Sequence, residues 1–306
     1  RLSCFWDLKS GVLLQALDIS QWQFATFKWC SEGEAFLVID TAGNINVGNA
    51  LRGSKMKQIR LPESLRATQA LFSKTGTYII VMVAGQNRVW IYNNATSVLF
   101  ATLPNSESVK DCFETNQDDT FIAELNNLDV VLWQISNQKN TTILNEISQD
   151  ILEPRINRSN TLLSTLTSDG TGHIWDIVNA ESLYTRKVAV PPGNPLEFSH
   201  GDQYLLQVEN ERSVVILEPR TGAIIQHLQI GKAVRFSCFS SDGNYLVIVT
   251  ADQRVEVRAT QNWAVLYSID DYYGKVTAVS FNSDKQWLIV NYGKVVSVYE
   301  LISGAK

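Results

Sequence analysis

The stretch Val234–Trp263, VRFSCFSSDGNYLVIVTADQRVEVRATQNW, is where the fold can be read. Three β-rich runs are parted by two groups of turn formers, Ser241-Asp242-Gly243 and Ala251-Asp252-Gln253. Asp and Ser bend the chain by bonding their own backbone, and Gly supplies positive φ. The middle run, Tyr245 to Val249, is apolar throughout, the pattern of a strand buried on both faces. Its third run ends at Arg258. Some way before Arg258 stands Leu217-Glu218-Pro219-Arg220-Thr221-Gly222, and at the same interval after it stands Tyr299-Glu300-Leu301-Ile302-Ser303-Gly304.

Working outward, the same sign recurs along the whole chain: an aromatic or apolar residue, a polar one, then a turn closed by Gly or Ser. It stands at Trp6-Asp7-Leu8-Lys9-Ser10-Gly11, at Tyr92-Asn93-Asn94-Ala95-Thr96-Ser97, at Trp133-Gln134 and at Trp175-Asp176, with Gly48 and Arg258 as weaker copies. The anchors fall at positions 6, 48, 92, 133, 175, 217, 258 and 299, a nearly constant spacing from one end of the chain to the other. A turn precedes most anchors by about 15 residues, as at Lys74-Thr75-Gly76, His200-Gly201-Asp202 and Ser283-Asp284-Lys285. Short apolar runs lie between, among them Phe36 to Ile39, Tyr78 to Val83, Phe121 to Leu125 and Tyr204 to Val208. Each unit therefore holds about four strands.

With this period, and with Trp6-Asp7, Trp175-Asp176 and the Ser241-Asp242-Gly243 turn, the whole chain resembles the WD-repeat family of β-propellers. The resemblance implies an all-β fold of four-stranded antiparallel blades, at about 22–61, 66–104, 107–147, 151–190, 194–230, 232–270 and 274–304. Seven blades are expected. The last lacks an outer strand, which Val12 to Leu17 is expected to supply, closing the ring and hiding its edges. Residues 1–11 then form an orphan strand and turn; an eight-bladed ring is the alternative. The family's Gly-His before the innermost strand is missing from every repeat, and the only histidines are His173, His200 and His227. The buried His, Ser/Thr, Asp and Trp network of such blades is therefore not expected, which leaves apolar packing to hold them.

Composition narrows the function. The chain has 306 residues and a formal net charge of -5, with charges of both signs interspersed, so no basic face for nucleic acid is expected. The densest basic cluster, Arg155, Arg158, Arg186 and Lys187, reads as a solvated rim. The longest apolar run, Tyr78 to Ala84, is far shorter than the ~20 residues of a membrane-spanning helix. Cys4, Cys30, Cys112 and Cys238 lie too far apart for a disulfide framework or a zinc site and read as reduced core thiols. The start at Arg1-Leu2-Ser3 reads as part of a longer chain, and a cytoplasmic or nuclear location is expected. Asn-x-Ser/Thr sequons at Asn94, Asn140 and Asn157 are then chance matches.

No phosphate loop, nucleophile elbow or His-Glu-x-x-His pair occurs. The adjacent carboxylates Asp118 with Asp119 and Asp270 with Asp271 point apart in extended structure, which suits turns better than an acid and base couple. No catalytic residue, cofactor or metal is expected. Loops carry function when a rigid scaffold fixes them, and in this family partner contacts cluster on the face bearing the loops before each inner strand and between second and third strands. On that face stand Trp22, Gln23, Gln86, Asn126, Asp169, Glu209, Asp252, Tyr272, Tyr273 and Tyr292. Trp22 and the three tyrosines are expected to form one patch, since aromatics dominate interface hot spots. The leading expectation is a non-catalytic protein-interaction module, monomeric by itself, serving as scaffold or sensor in a multidomain regulatory protein. One alternative is a reader of modified peptides through an aromatic cage of Trp22, Tyr272 and Tyr273. The other is a metal-dependent propeller enzyme.

Overall fold

The computed structural model of the chain describes residues 2–6, 10, 12–18, 24–30, 35–49, 56–62, 65–83, 88–103, 109–113, 120–125, 130–144, 151–188, 196–270, 273–281, 287–293 and 295–301. All regular structure among them is β. The chain divides into two compact units, Arg1–Ser148 and Gln149–Lys306.

The first unit opens with β1 (Leu2–Trp6) antiparallel to β2 (Leu13–Asp18), a sheet of two strands. Three four-stranded antiparallel sheets follow. They are β3 (Phe24–Trp29), β4 (Ala35–Asp40), β5 (Ile45–Asn49) and β6 (Lys57–Ile59); β7 (Ala67–Phe72), β8 (Tyr78–Val83), β9 (Arg88–Asn93) and β10 (Leu99–Thr102); and β11 (Val109–Phe113), β12 (Thr120–Leu125), β13 (Val130–Gln134) and β14 (Lys139–Leu144). The second unit holds three more: β15 (Ile151–Ile156), β16 (Leu162–Thr167), β17 (Thr171–Asp176) and β18 (Glu181–Lys187); β19 (Glu197–Phe198), β20 (Leu205–Asn210), β21 (Ser213–Leu217) and β22 (Ile224–Gln229); and β23 (Val234–Phe239), β24 (Tyr245–Thr250), β25 (Val255–Ala259) and β26 (Val265–Ile269). A three-stranded sheet of β27 (Ala278–Phe281), β28 (Trp287–Asn291) and β29 (Val296–Glu300) ends it. In every sheet the strands are ordered as they come in the chain.

β1 pairs with β2 from Leu2↔Asp18 to Trp6↔Leu13, two strands with no inner strands in their sheet.

The apolar runs are buried on both faces, as their composition requires. In β8, Ile79, Val81 and Val83 pack with Leu37, Ile39, Ala70 and Phe72 towards the β3–β6 sheet. The alternate residues Ile80 and Met82 pack with Val89, Cys112, Val131 and Trp133 towards the β11–β14 sheet. β24 repeats the arrangement, with Leu246 and Ile248 in one cluster and Val247 and Val249 in the next. Each fully buried Val, Leu or Ile contributes about 1.5–3 kcal/mol, so this alternation is the main stabilising term.

The repeated sign has a local cause at the turn between third and outer strands. Ser97, Gly222 and Trp263 each donate their N–H to the carbonyl four residues back, at Asn93, Glu218 and Ala259. Each has positive φ, as do Gln138 and Ala180 at the same offset from their anchors. The polar residue after the anchor caps the turn: Asn93 Oδ1 accepts the Thr96 N–H at 3.0 Å, and Glu218 Oε2 accepts the Thr221 N–H at 2.6 Å. The outer strand then starts with a bulge that leaves Phe100, Leu183, Ile225 or Leu266 outside the ladder. The weak copy at Gly48 also has an explanation. Phe36 pairs opposite it, and a Cβ there would sit 2.3 Å from the Phe36 ring, so the aromatic comes from the facing strand.

Gly222 carries the sharpest test of this turn. Its φ is +69°, and an added Cβ would lie 2.8 Å from the Tyr184 ring, whose hydroxyl is fixed by donating to the Pro219 carbonyl at 2.9 Å. Gly222→Ala is expected to lower stability by about 2 kcal/mol, about half from the left-handed backbone and half from the displaced ring. Urea unfolding measures it.

Candidate functional site

In the second unit, one end of each sheet carries the turn between second and third strands. Thr171 at that turn pairs with Lys187, the last residue of the outer strand, so turn and strand end share the edge. The Asp169 carboxylate sits 2.7 Å from the Thr167 hydroxyl, accepts the Thr171 N–H at 3.0 Å and meets Lys187 Nζ at 3.0 Å. The next-but-one turn repeats this design. The Asp252 carboxylate lies 2.5 Å from the Thr250 hydroxyl, and Lys232 Nζ lies 3.5 Å away. These Thr contacts and the facing lysines hold both carboxyls well below their ordinary range.

Glu209 lies near the end of β20, clasped between Arg186 at 3.8 Å and His227 Nε2 at 3.0 Å. Arg254 faces Asp270 at 3.7 Å. Exposed pairs of this kind contribute about 0–1 kcal/mol each, so they pattern the surface more than they stabilise it. The sheet ends are continuous: Gln253 Oε1 accepts the Val276 N–H at 2.8 Å, and Arg235 donates to the Val276 carbonyl at 2.8 Å.

Tyr273 and Tyr292 meet edge to face, ring centroids 5.6 Å apart. Their roles differ. Tyr273 is 50% exposed, whereas Tyr292 is 5% exposed and belongs to the core with Val290, Leu288 and Tyr299. Tyr292 is thus not a surface contact as expected, because its ring turns inward from the turn after β28 and braces Tyr273 from behind. Trp22, Gln23, Gln86, Asn126 and Tyr272 lie outside the described residues, so of the expected cage only Tyr273 is placed.

At the opposite end of the unit, Asp176 is almost fully covered. Its Oδ1 accepts the N–H groups of Val178 and Asn179 at 2.9 and 3.0 Å, and its Oδ2 pairs with Arg220 from the β21–β22 turn of the adjacent sheet. The Asn179 N–H first, then Arg220, hold this carboxyl low. Nearby, Trp175 Nε1 donates to the Thr165 hydroxyl at 3.2 Å, with the His173 ring stacked on Trp175 at 5.6 Å. Thr165 was not separable in sequence from any other strand threonine. The side chain of Asn157 is buried and bonded to Ser159 and Thr161, and that of Asn94 donates to the Gly76 carbonyl at 2.8 Å, so both sequons are structural.

Among the described residues no group of three His, Cys, Asp or Glu is placed to hold a metal ion, and no helix is long and apolar enough to cross a membrane. The carboxylates at the sheet ends already accept hydroxyl, N–H or ammonium donors. What this end offers is a fixed mosaic of paired charges beside one braced, half-exposed tyrosine.

No protein-family model matches the chain, and no curated protein matches it in sequence. Its structure is similar to a chain of the mitotic checkpoint complex, with TM-score 0.65 and 14% identity over 93% of this chain and 90% of that one. It is also similar to the C-terminal WD40 domain of Sif2, with TM-score 0.68 and 17% identity over 94% of this chain and 85% of that one.

Asp176 supplies a pH test. A carboxyl held low in the folded state contributes stability that is full above its unfolded value of 3.8 and is lost as pH falls through the folded value. Asp176→Asn is expected to lower the urea midpoint at neutral pH, with the gap to wild type closing below about pH 4.

The blade-like sheets and the two structural likenesses together make the fold that of the WD40 β-propellers.

Proposed function

We propose that this chain is a non-catalytic protein-interaction module, the scaffold or sensor part of a multidomain regulatory protein in the cytoplasm or nucleus. It binds a protein or peptide on the end of the sheets that carries Asp169, Glu209, Asp252 and Tyr273. The observation that carries the reading is Tyr273: half exposed, braced by buried Tyr292, and close in sequence to Asp270, which faces Arg254. A rigid aromatic among ordered charges is the composition of an interface hot spot with a polar rim. The fold supports it as well, since one structural neighbour was solved as part of a protein complex.

Selection of displayed peptides against the protein tests this. Binders are expected to lose about tenfold in affinity on Tyr273→Ala, which is about 1.4 kcal/mol, and less on Asp169→Asn or Asp252→Asn. Selected peptides indifferent to all three substitutions would overturn the proposed face.

We further propose that the ring has seven blades, the last completed by residues 13–18 in the outer place beside β29. β1 occupies one edge of β2. Amide exchange on a chain starting at Ser10 is expected to leave residues 277–298 as protected as in the whole chain. Collapse of that protection would make residues 2–6 an integral part of the ring and favour eight blades.

A further inference from the structure

On the seam between the β19–β22 and β23–β26 sheets lies an open cleft of about 510 Å³, within the size range of clefts that hold ligands. It is formed where inner strands turn back into second strands, at Ser199–Tyr204 in one sheet and Ser240–Tyr245 in the next. β24 runs from Tyr245 to Thr250, so the cleft lies a strand's length, about 17 Å, from the end that carries Asp252. Its aromatic surface is Tyr204, half-buried and braced edge-on by buried Trp263, with ring centroids 5.0 Å apart. Gln203 and Gln261 stand on its walls, both exposed. Among the described residues nothing bonds their side-chain amides or the Tyr204 hydroxyl.

The charge here differs from that of the other end, where Asp169, Asp252 and Asp270 each face a lysine or arginine. Asp242 lines the cleft and has no cation beside it among the described residues. Its Oδ1 accepts the Ser240 hydroxyl at 2.5 Å and the Asn244 N–H at 3.0 Å, whereas its Oδ2 accepts only the Asn244 amide, at 2.9 Å. Burial opposes its ionisation, but the Ser240 hydroxyl and the Asn244 donors outweigh burial and hold the carboxyl below its ordinary range. It is therefore charged at neutral pH. Asp202, in the Ser199 turn, gives its oxygens to the N–H groups of Arg158 and Ser159 at 2.7 and 2.8 Å, and it too makes no ion pair among the described residues. No described lysine or arginine lines the cleft. A fixed negative charge beside a rigid ring, with uncommitted amide oxygens around it, is the complement of a flat cation.

We propose that this cleft is a second peptide-binding site, which takes an arginine side chain of a partner: the guanidinium bonds Asp242 Oδ2 and lies against the Tyr204 ring, and the Gln203 and Gln261 amides accept its outer N–H groups. The site is separate from the Tyr273 end, and neither reading depends on the other.

The test is titration of the whole chain, followed by amide ¹H–¹⁵N shifts, with acetyl-Gly-Arg-Gly-amide and with the same peptide carrying citrulline, which keeps the shape of arginine without its charge. The arginine peptide is expected to move the amides of residues 199–204, 242–244 and 260–261 and to saturate at millimolar concentration. The citrulline peptide is expected to bind about tenfold more weakly or worse. Asp242→Asn leaves an oxygen for Ser240 and for the Asn244 N–H, and it is expected to weaken the arginine peptide about tenfold. Gln203→Lys places a cation in the cleft at an exposed position and is expected to do the same. Tyr273→Ala is expected to leave this binding unchanged, which separates its outcome from that of the other face. No shift at these residues, equal binding of the two peptides, or binding indifferent to both cleft substitutions would overturn the proposal. Should Asp242→Asn fail to fold, Gln203→Lys decides.

Discussion

A chain that reverses between third and outer strands must leave one residue with positive φ and must find acceptors for the N–H groups of the bend. Among the described turns of this type, Ser97, Gln138, Ala180, Gly222 and Trp263 meet the first demand. Asn93, Asp176 and Glu218 meet the second with their own side chains. Where the left-handed residue is not Gly, the cost of about 1 kcal/mol is offset by packing, as with Trp263 against Tyr204. This small motif fixes where the outer strand starts, and so how wide each sheet grows before it meets solvent.

That constraint also explains what sequence could show. The turn is local, so its chemistry is written in consecutive residues, and its copies recur at a nearly even interval. The double-sided burial of runs such as Tyr78–Val83 is likewise local, because alternate residues face alternate neighbours. From these two signs the all-β class, the antiparallel order and the resemblance to WD40 propellers were legible. Choices between partners were not. Nothing in residues 13–18 names β1 as their mate, since short, largely apolar strands occur in every repeat.

The site was legible to a lesser degree. Asp169 and Asp252 declare themselves through Thr-x-Asp spacing, which sets hydroxyl and carboxylate together. Tyr292 did not, because an aromatic in a tight turn reads the same whether its ring faces out or in.

The bulges at the start of β10, β18, β22 and β26 have a consequence for how the molecule meets copies of itself. Each coils the outermost strand more tightly and breaks the even spacing of its unpaired N–H and C=O groups. A foreign strand laid along such a rim would soon lose register. Exposed Phe100, Ile225 and Leu266 can therefore stand at the perimeter without nucleating fibrils.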